Sequence, residues 1–243
     1  MFRKIDKIYD MIALINYRLK SRCVKSFVFN FRYLMTKSLV MSIEDVKEYL
    51  GITTNDVIDF AKLWAEKEML LFKNKKDVQS FYTDWKDDYA KYNICANVLN
   101  QHFDTINFQI IHKYFTKEVY NKDTLIDYGC GTGSLSFAFA IEKLINSKII
   151  LLDVENDINE FIRFRIKKHQ LQDIISLYNV MSFKGWNVAN GLYCIDVLEH
   201  VENSSEIFIN NIHPLLRKNG LLYLKAPWRG QLTHIGDREL FSM

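Results

Sequence analysis

The sequence predicts an α/β fold: a parallel sheet over the second half of the chain, preceded by a mostly helical N-terminal region. Two segments carry this reading. Leu125-Ile-Asp-Tyr-Gly-Cys-Gly-Thr-Gly133 is a short apolar run ending in an acid and three alternating glycines. Ile149-Ile-Leu-Leu-Asp153 is a second apolar run that ends in an acid. The stretch between them, opening with Ser134-Leu-Ser-Phe-Ala-Phe-Ala140, is long enough for a crossover helix, which makes the two strands parallel neighbours. Ile175-Ser-Leu-Tyr-Asn-Val180, Gly191-Leu-Tyr-Cys-Ile195 and the segment after Asn219-Gly220 repeat the pattern as third, fourth and fifth strands.

Glycines at a strand-to-helix turn allow positive φ and a close approach of ligand to backbone. Asp153 follows the glycines by about 20 residues, where a carboxylate at a strand end takes the hydroxyls of a ribose. A dinucleotide turn, G-x-G-x-x-G, would place its third glycine at position 134, which is Ser134. The pattern here is Asp-x-Gly-x-Gly-x-Gly instead. It resembles motif I of the class I S-adenosylmethionine-dependent methyltransferases. Asp196-Val-Leu-Glu-His-Val201 resembles the segment after that family's fourth strand in its small-molecule branches. Ile212-His-Pro-Leu-Leu-Arg-Lys-Asn-Gly-Leu-Leu-Tyr-Leu-Lys-Ala-Pro227 resembles its turn and fifth strand. Together these motifs span roughly residues 124–229.

The resemblance implies a Rossmann-like sheet, S-adenosyl-L-methionine as cofactor, and transfer of a methyl group to an oxygen or nitrogen of a small molecule or a glycan or lipid precursor. It assigns Asp127 to the turn and the cofactor's amino end, Gly129, Gly131 and Gly133 to the close backbone approach, Asp153 to the ribose, and Ile195 to the pocket wall. For Asp153 the competing role is a cap on the following helix. The family's acid after the third strand is replaced by Met181, which leaves adenine to Ser182 or to backbone. About 16 residues follow Pro227, too few for the family's closing hairpin, so the sheet is expected to lack its last strands.

Asp196, Glu199 and His200 stand at i, i+3 and i+4, which on a helix share one face. Glu199 and His200, with His234 beyond the fifth strand, are the candidate catalytic residues, because a neutral histidine can deprotonate a hydroxyl acceptor. The same carboxylates and histidines are also compatible with a divalent ion, and no metal site is assigned. Trp228-Arg229 are candidates for an acceptor wall. Two other readings stay open: a degenerate subunit of this fold without turnover, and an NAD or nucleotide-sugar enzyme, against which Ser134 and the segment 196–200 argue.

The boundary is placed at residues 118 and 119, with a possible winged-helix-like module at 38–77. Ser42 caps a helix ended by Gly51, Thr53 or Thr54 caps a second that carries Val57, Phe60, Ala61 and Trp64 on one face, and Met69-Leu-Leu-Phe72 reads as a short strand. The second helix bears Asp56, Asp59, Glu66 and Glu68, which would repel a phosphate backbone, so no DNA binding is expected. Such a module serves dimerisation in related O-methyltransferases, which makes a homodimer through this region an expectation. Residues 1–40 hold nine Lys and Arg against two acids, a net +7. That is compatible with an anionic membrane surface, though a helical extension with solvated lysines is the plainer reading. Cys23, Cys95, Cys130 and Cys194 are scattered, with no C-x-x-C pair. No spanning run is present, and a cytoplasmic protein is expected.

Overall fold

The computed structural model describes residues 37–73, 78–83, 88–103, 107, 110–111, 113–115, 123–144 and 147–226. Residues 1–36 of the basic segment 1–40, His234, Trp228-Arg229 and the end of the chain, where the closing strands are expected to be missing, all fall outside the described residues. Five strands form one sheet: β1 (Thr124–Tyr128), β2 (Lys148–Asp153), β3 (Ile175–Asn179), β4 (Ala189–Ile195) and β5 (Leu216–Lys225). Their order is β3-β2-β1-β4-β5 and every pair is parallel. The chain steps outward from β1 to β3, then returns to the other side of β1. The crevice beyond the carboxyl ends of β1 and β4 is therefore the topological switch point, where ligands of such sheets bind.

The two sheet faces are packed separately. Leu125, Ile149, Leu151 and Tyr193 pack with Phe137 and Phe139 of helix α5 (Ser134–Ile141) and Ile162 of α6 (Ile158–Lys168). Ile126, Tyr128, Leu152 and Cys194 pack on the opposite face with Leu198, Ile212 and Leu215. The last two lie in the wide π turn and the 3₁₀ turn that continue α7 (Ser204–Ile207) to Leu215. The connection from β3 to β4 contains no helix. Tyr178, Met181 and Trp186 are consequently exposed beside a cavity of about 310 Å³ walled by Tyr128, Leu152, Val180, Phe183 and Pro214.

The N-terminal region is helical: α1 (Lys37–Leu50), α2 (Thr54–Lys73), α3 (Val78–Thr83) and α4 (Asp88–Phe103). Ile43, Val46, Val57, Ile94 and Leu99 of these helices share a core with Ile158 and Phe161 of α6. Gly51, at φ 67°, ends α1, and the Ile52 N–H returns to the Lys47 carbonyl at 3.1 Å. Thr53 caps α2: its N–H and hydroxyl both donate to Asp56, whose N–H donates back to Oγ1.

Two local expectations are corrected here. α1 begins at Lys37, so Ser42 lies inside the helix and does not cap it. Its hydroxyl is buried and accepts from Arg165 Nη2 at 2.6 Å, a tertiary partner that replaces the capping bond. Met69–Phe72 is the end of α2 and not a strand, so this segment supplies no strand to the winged-helix outline. The apolar run reads locally as β, but among the described residues no strand pairs with it, and Met69 and Leu70 are exposed on the helix.

Candidate functional site

The glycine-rich turn accounts for nearly all of its own backbone donors. Gly129 N–H and Cys130 N–H both donate to the Leu152 carbonyl, at 2.8 and 3.1 Å, and Gly133 N–H donates to Cys130 O at 2.8 Å. Gly131 N–H donates to Asp153 Oδ2 at 2.6 Å. Gly129, Gly131 and Gly133 all lie at positive φ. Packing explains the first and last of them. A Cβ on Gly129 would stand 2.3 Å from Val197 Cγ2, and one on Gly133 would press on Leu151 and Phe137. The N–H groups of the first turn of α5, which follows the glycine-rich turn directly, lack intrahelical partners by geometry. Gly133 is the N-cap of α5 and offers no side chain to cap them.

Asp127 and Asp153 take different places around this turn. Asp127 lies under it, buried, with Oδ2 accepting from Ser136 Oγ at 2.8 Å and from Tyr193 OH at 3.1 Å. The Ser136 and Tyr193 hydroxyls also bond each other. Burial pushes the Asp127 carboxyl up to about 7, against the pull of those two donors. Asp153, at the end of β2, accepts from Gly131 N–H and, through Oδ1, from Val154 N–H at 2.8 Å. Burial raises it to about 6, offset by the two backbone donors and the Cys130 thiol. Asp153 does not cap the next helix, whose N-cap is Asp157. Each of its oxygens keeps acceptor capacity beyond its one backbone bond.

The segment after β4 departs from the helical face expected of Asp196, Glu199 and His200. Asp196 sits at φ 55° and turns outward to pair with Lys225 Nζ at 3.4 Å. Leu198–His200 is a single 3₁₀ turn. Because the backbone changes hand at Asp196, its carboxylate is directed to Lys225 and does not share a helix face with Glu199 and His200. Glu199 is wholly buried, and neither carboxylate oxygen has a hydrogen-bond partner among the described residues. Burial, with Asp196 adding to it, pushes Glu199 up to about 8. The protonated form is what such a pocket holds near neutrality. His200 Nε2 stands 3.9 Å from Glu199 Oε1, and its ring meets Tyr82 of α3 edge-on at 5.4 Å.

Tyr82 was not singled out by the sequence, since an aromatic in a helical stripe reads as core. Its carbonyl accepts from Asn156 Nδ2 at 3.1 Å, so α3 bridges the ends of β2 and β4. Ile195 ends β4, half-buried. Met181 is exposed, and Ser182 Oγ donates to Asn179 O at 3.3 Å. Among the described residues no three His, Cys, Asp or Glu side chains converge as metal ligands. Arg165 was also missed: it lies in the apolar stripe of α6 between Ile162 and Ile166, a register that signals a buried, paired arginine.

Residues 120–240 match the family model of a methyltransferase domain. The chain carries a domain of the class I S-adenosylmethionine-dependent methyltransferase family. No curated protein matches it in sequence. Among solved structures it is similar to a Methanococcus maripaludis protein assigned as an S-adenosyl-L-methionine-dependent methyltransferase, at 23% identity over 66% of this chain and 69% of that one, TM-score 0.48. It is similar to a Galdieria sulphuraria protein assigned as a sarcosine dimethylglycine methyltransferase, at 15% identity over 52% and 47%, TM-score 0.45. A geranyl diphosphate methyltransferase in complex with SAM aligns at 15% identity over 60% and 57%, TM-score 0.45. The chain thus spans about half the length of the last two. Among the described residues of this methyltransferase-family chain, no helix is long and apolar enough to cross a membrane.

Proposed function

We propose that the chain transfers a methyl group from S-adenosyl-L-methionine to an oxygen or nitrogen of a small-molecule, glycan or lipid-precursor acceptor. The observation that carries this reading is the placement of Asp153, its carboxylate 2.6 Å from Gly131 N–H, beside the uncapped start of α5 at the switch point of the sheet. A carboxylate with spare acceptor capacity suits ribose hydroxyls, and open N–H groups at a helix start suit the carboxylate of an amino acid. The residues present therefore fit the cofactor. When bound, it supplies a methyl group already activated by a sulfonium.

The protein's own part is positional. Asp153 and the first turn of α5 would hold the two ends of the ligand, and Asp127 would fix the turn from beneath. Ile195 would close the pocket wall. Tyr82 and α3 would cover the carboxyl ends of the strands and limit water there. His200, held against Tyr82, would take a proton from the acceptor. An imidazolium formed there would stand 3.9 Å from Glu199 Oε1. His234 keeps the same candidate role from beyond β5.

Calorimetric titration with S-adenosylhomocysteine tests the reading. Asp153→Ala is expected to weaken binding by at least about tenfold, near 1.4 kcal/mol. Wild-type affinity should be level above pH 7 and fall below about 6, where Asp153 gains a proton and loses acceptor capacity. Asp153→Asn keeps an acceptor for Gly131 N–H and should abolish that pH step. Wild-type binding by the alanine variant, or no binding by a folded wild-type protein, rejects the proposal.

A further inference from the structure

We propose that Arg165 is a positioning residue that holds the glycine-rich turn from behind, so that docking of the N-terminal helix α1 and binding of the cofactor are coupled through one guanidinium. This rests on the cofactor reading above. Arg165 is fully buried, where an arginine persists only if its donors and charge are matched. Its planar fork reaches three directions at once. Nε donates to Asp45 Oδ2 at 3.0 Å and Nη2 to Ser42 Oγ at 2.6 Å, both on α1. Nη1 donates to the Thr132 carbonyl at 3.2 Å. The guanidinium carbon lies 3.9 Å above the centre of the Phe137 ring, on α5.

Thr132 stands between Gly131 and Gly133, both at positive φ, so its peptide planes are where the turn is freest to rotate. Asp153 fixes one side of that freedom through Gly131 N–H, and Arg165 fixes the other through Thr132 O. With the carbonyl drawn inward, the N–H groups at the start of α5 are left toward the crevice. The α1 end of the link is itself anchored. Asp45 accepts from His169 Nε2 at 2.8 Å and pairs with Lys168 Nζ at 3.0 Å. Burial pushes the Asp45 carboxyl up, yet His169, Arg165 and Lys168 together hold it below the usual carboxylate value. A ligand that orders the turn must therefore tighten α1, and by reciprocity an undocked α1 must weaken the ligand.

The test is Arg165→Lys, which keeps the charge beside Asp45 and cannot span to Thr132 as well. Two readouts are taken: S-adenosylhomocysteine affinity by calorimetry, and amide hydrogen exchange without ligand. The variant should bind roughly tenfold more weakly. Exchange should quicken at residues 131–136 while β4 and α2 keep their protection. In the wild type, saturating ligand should slow exchange across α1. Ser42→Ala, which trims one α1 contact, should give a smaller loss in the same direction and serves if the lysine variant does not fold. Unchanged affinity in a folded variant, or loosening spread evenly over the fold, overturns the proposal. If the wild type binds no ligand but the turn loosens selectively, the cofactor reading fails while the positioning role stands.

Discussion

Gly129→Ala is expected to lower the stability of the fold by about 2–5 kcal/mol, a fall in melting temperature of roughly 5–20 °C. Two independent costs add. At φ 71° any Cβ brings about 1–2 kcal/mol of backbone strain. The new methyl group would also stand 2.3 Å from Val197 Cγ2 and 2.9 Å from Cγ1, at the end of a buried strand that has little room to retreat. The double variant Gly129→Ala with Val197→Ala separates the two. It should recover the contact share and keep the conformational one, leaving a melting temperature between those of Gly129→Ala and the Val197→Ala protein. A Gly129→Ala protein that melts with the wild type would mean that the turn is held in place by neither constraint.

Glu199→Gln should stabilise the ligand-free protein, and increasingly so as pH rises. The sign follows from the proton balance. Glu199 titrates near 8 in the folded protein and near 4.5 when unfolded, so between these values the native state binds more protons. Stability from this group is then complete below about 4.5 and is lost as pH climbs through 8. Glutamine does not titrate and escapes that loss, up to roughly 4–5 kcal/mol by pH 9, since each pH unit separating the folded and unfolded values is worth about 1.4 kcal/mol. Asp127 and Asp153 titrate in overlapping windows but are common to both proteins, so they cancel in the difference. Urea denaturation at pH 5, 7 and 9 measures it. A stability difference that stays flat with pH would show that Glu199 is ionised and paired in solution.

The strands, the turn and Asp153 were legible because their signals are local. Apolar runs ending at glycine or acid mark strands that must be buried on both faces, and three glycines in five residues mark a backbone at positive φ. Ser42 and Met69–Phe72 misled for the opposite reason. A serine before an apolar helix satisfies the capping pattern, but its hydroxyl is taken by Arg165, 123 residues away in the chain. The run at 69–72 has strand composition but no strand to pair with among the described residues, and the helix it follows continues through it.

The sequence by itself determined the family, the order of elements and the place of the crevice, since these follow from periodicity and turn chemistry within a few residues. Only the tertiary structure decided what each site residue faces. It put Asp127 beneath the turn with Ser136 and Tyr193, buried Glu199 with no hydrogen-bond partner among the described residues, and turned Asp196 out toward Lys225. It also joined Asp45 of α1 to the glycine-rich turn through Arg165. The physical reason is that burial and hydrogen-bond partnership depend on side chains far apart in the chain. The one-residue change of backbone hand at Asp196, which sends its carboxylate away from Glu199 and His200, has no signature in local composition.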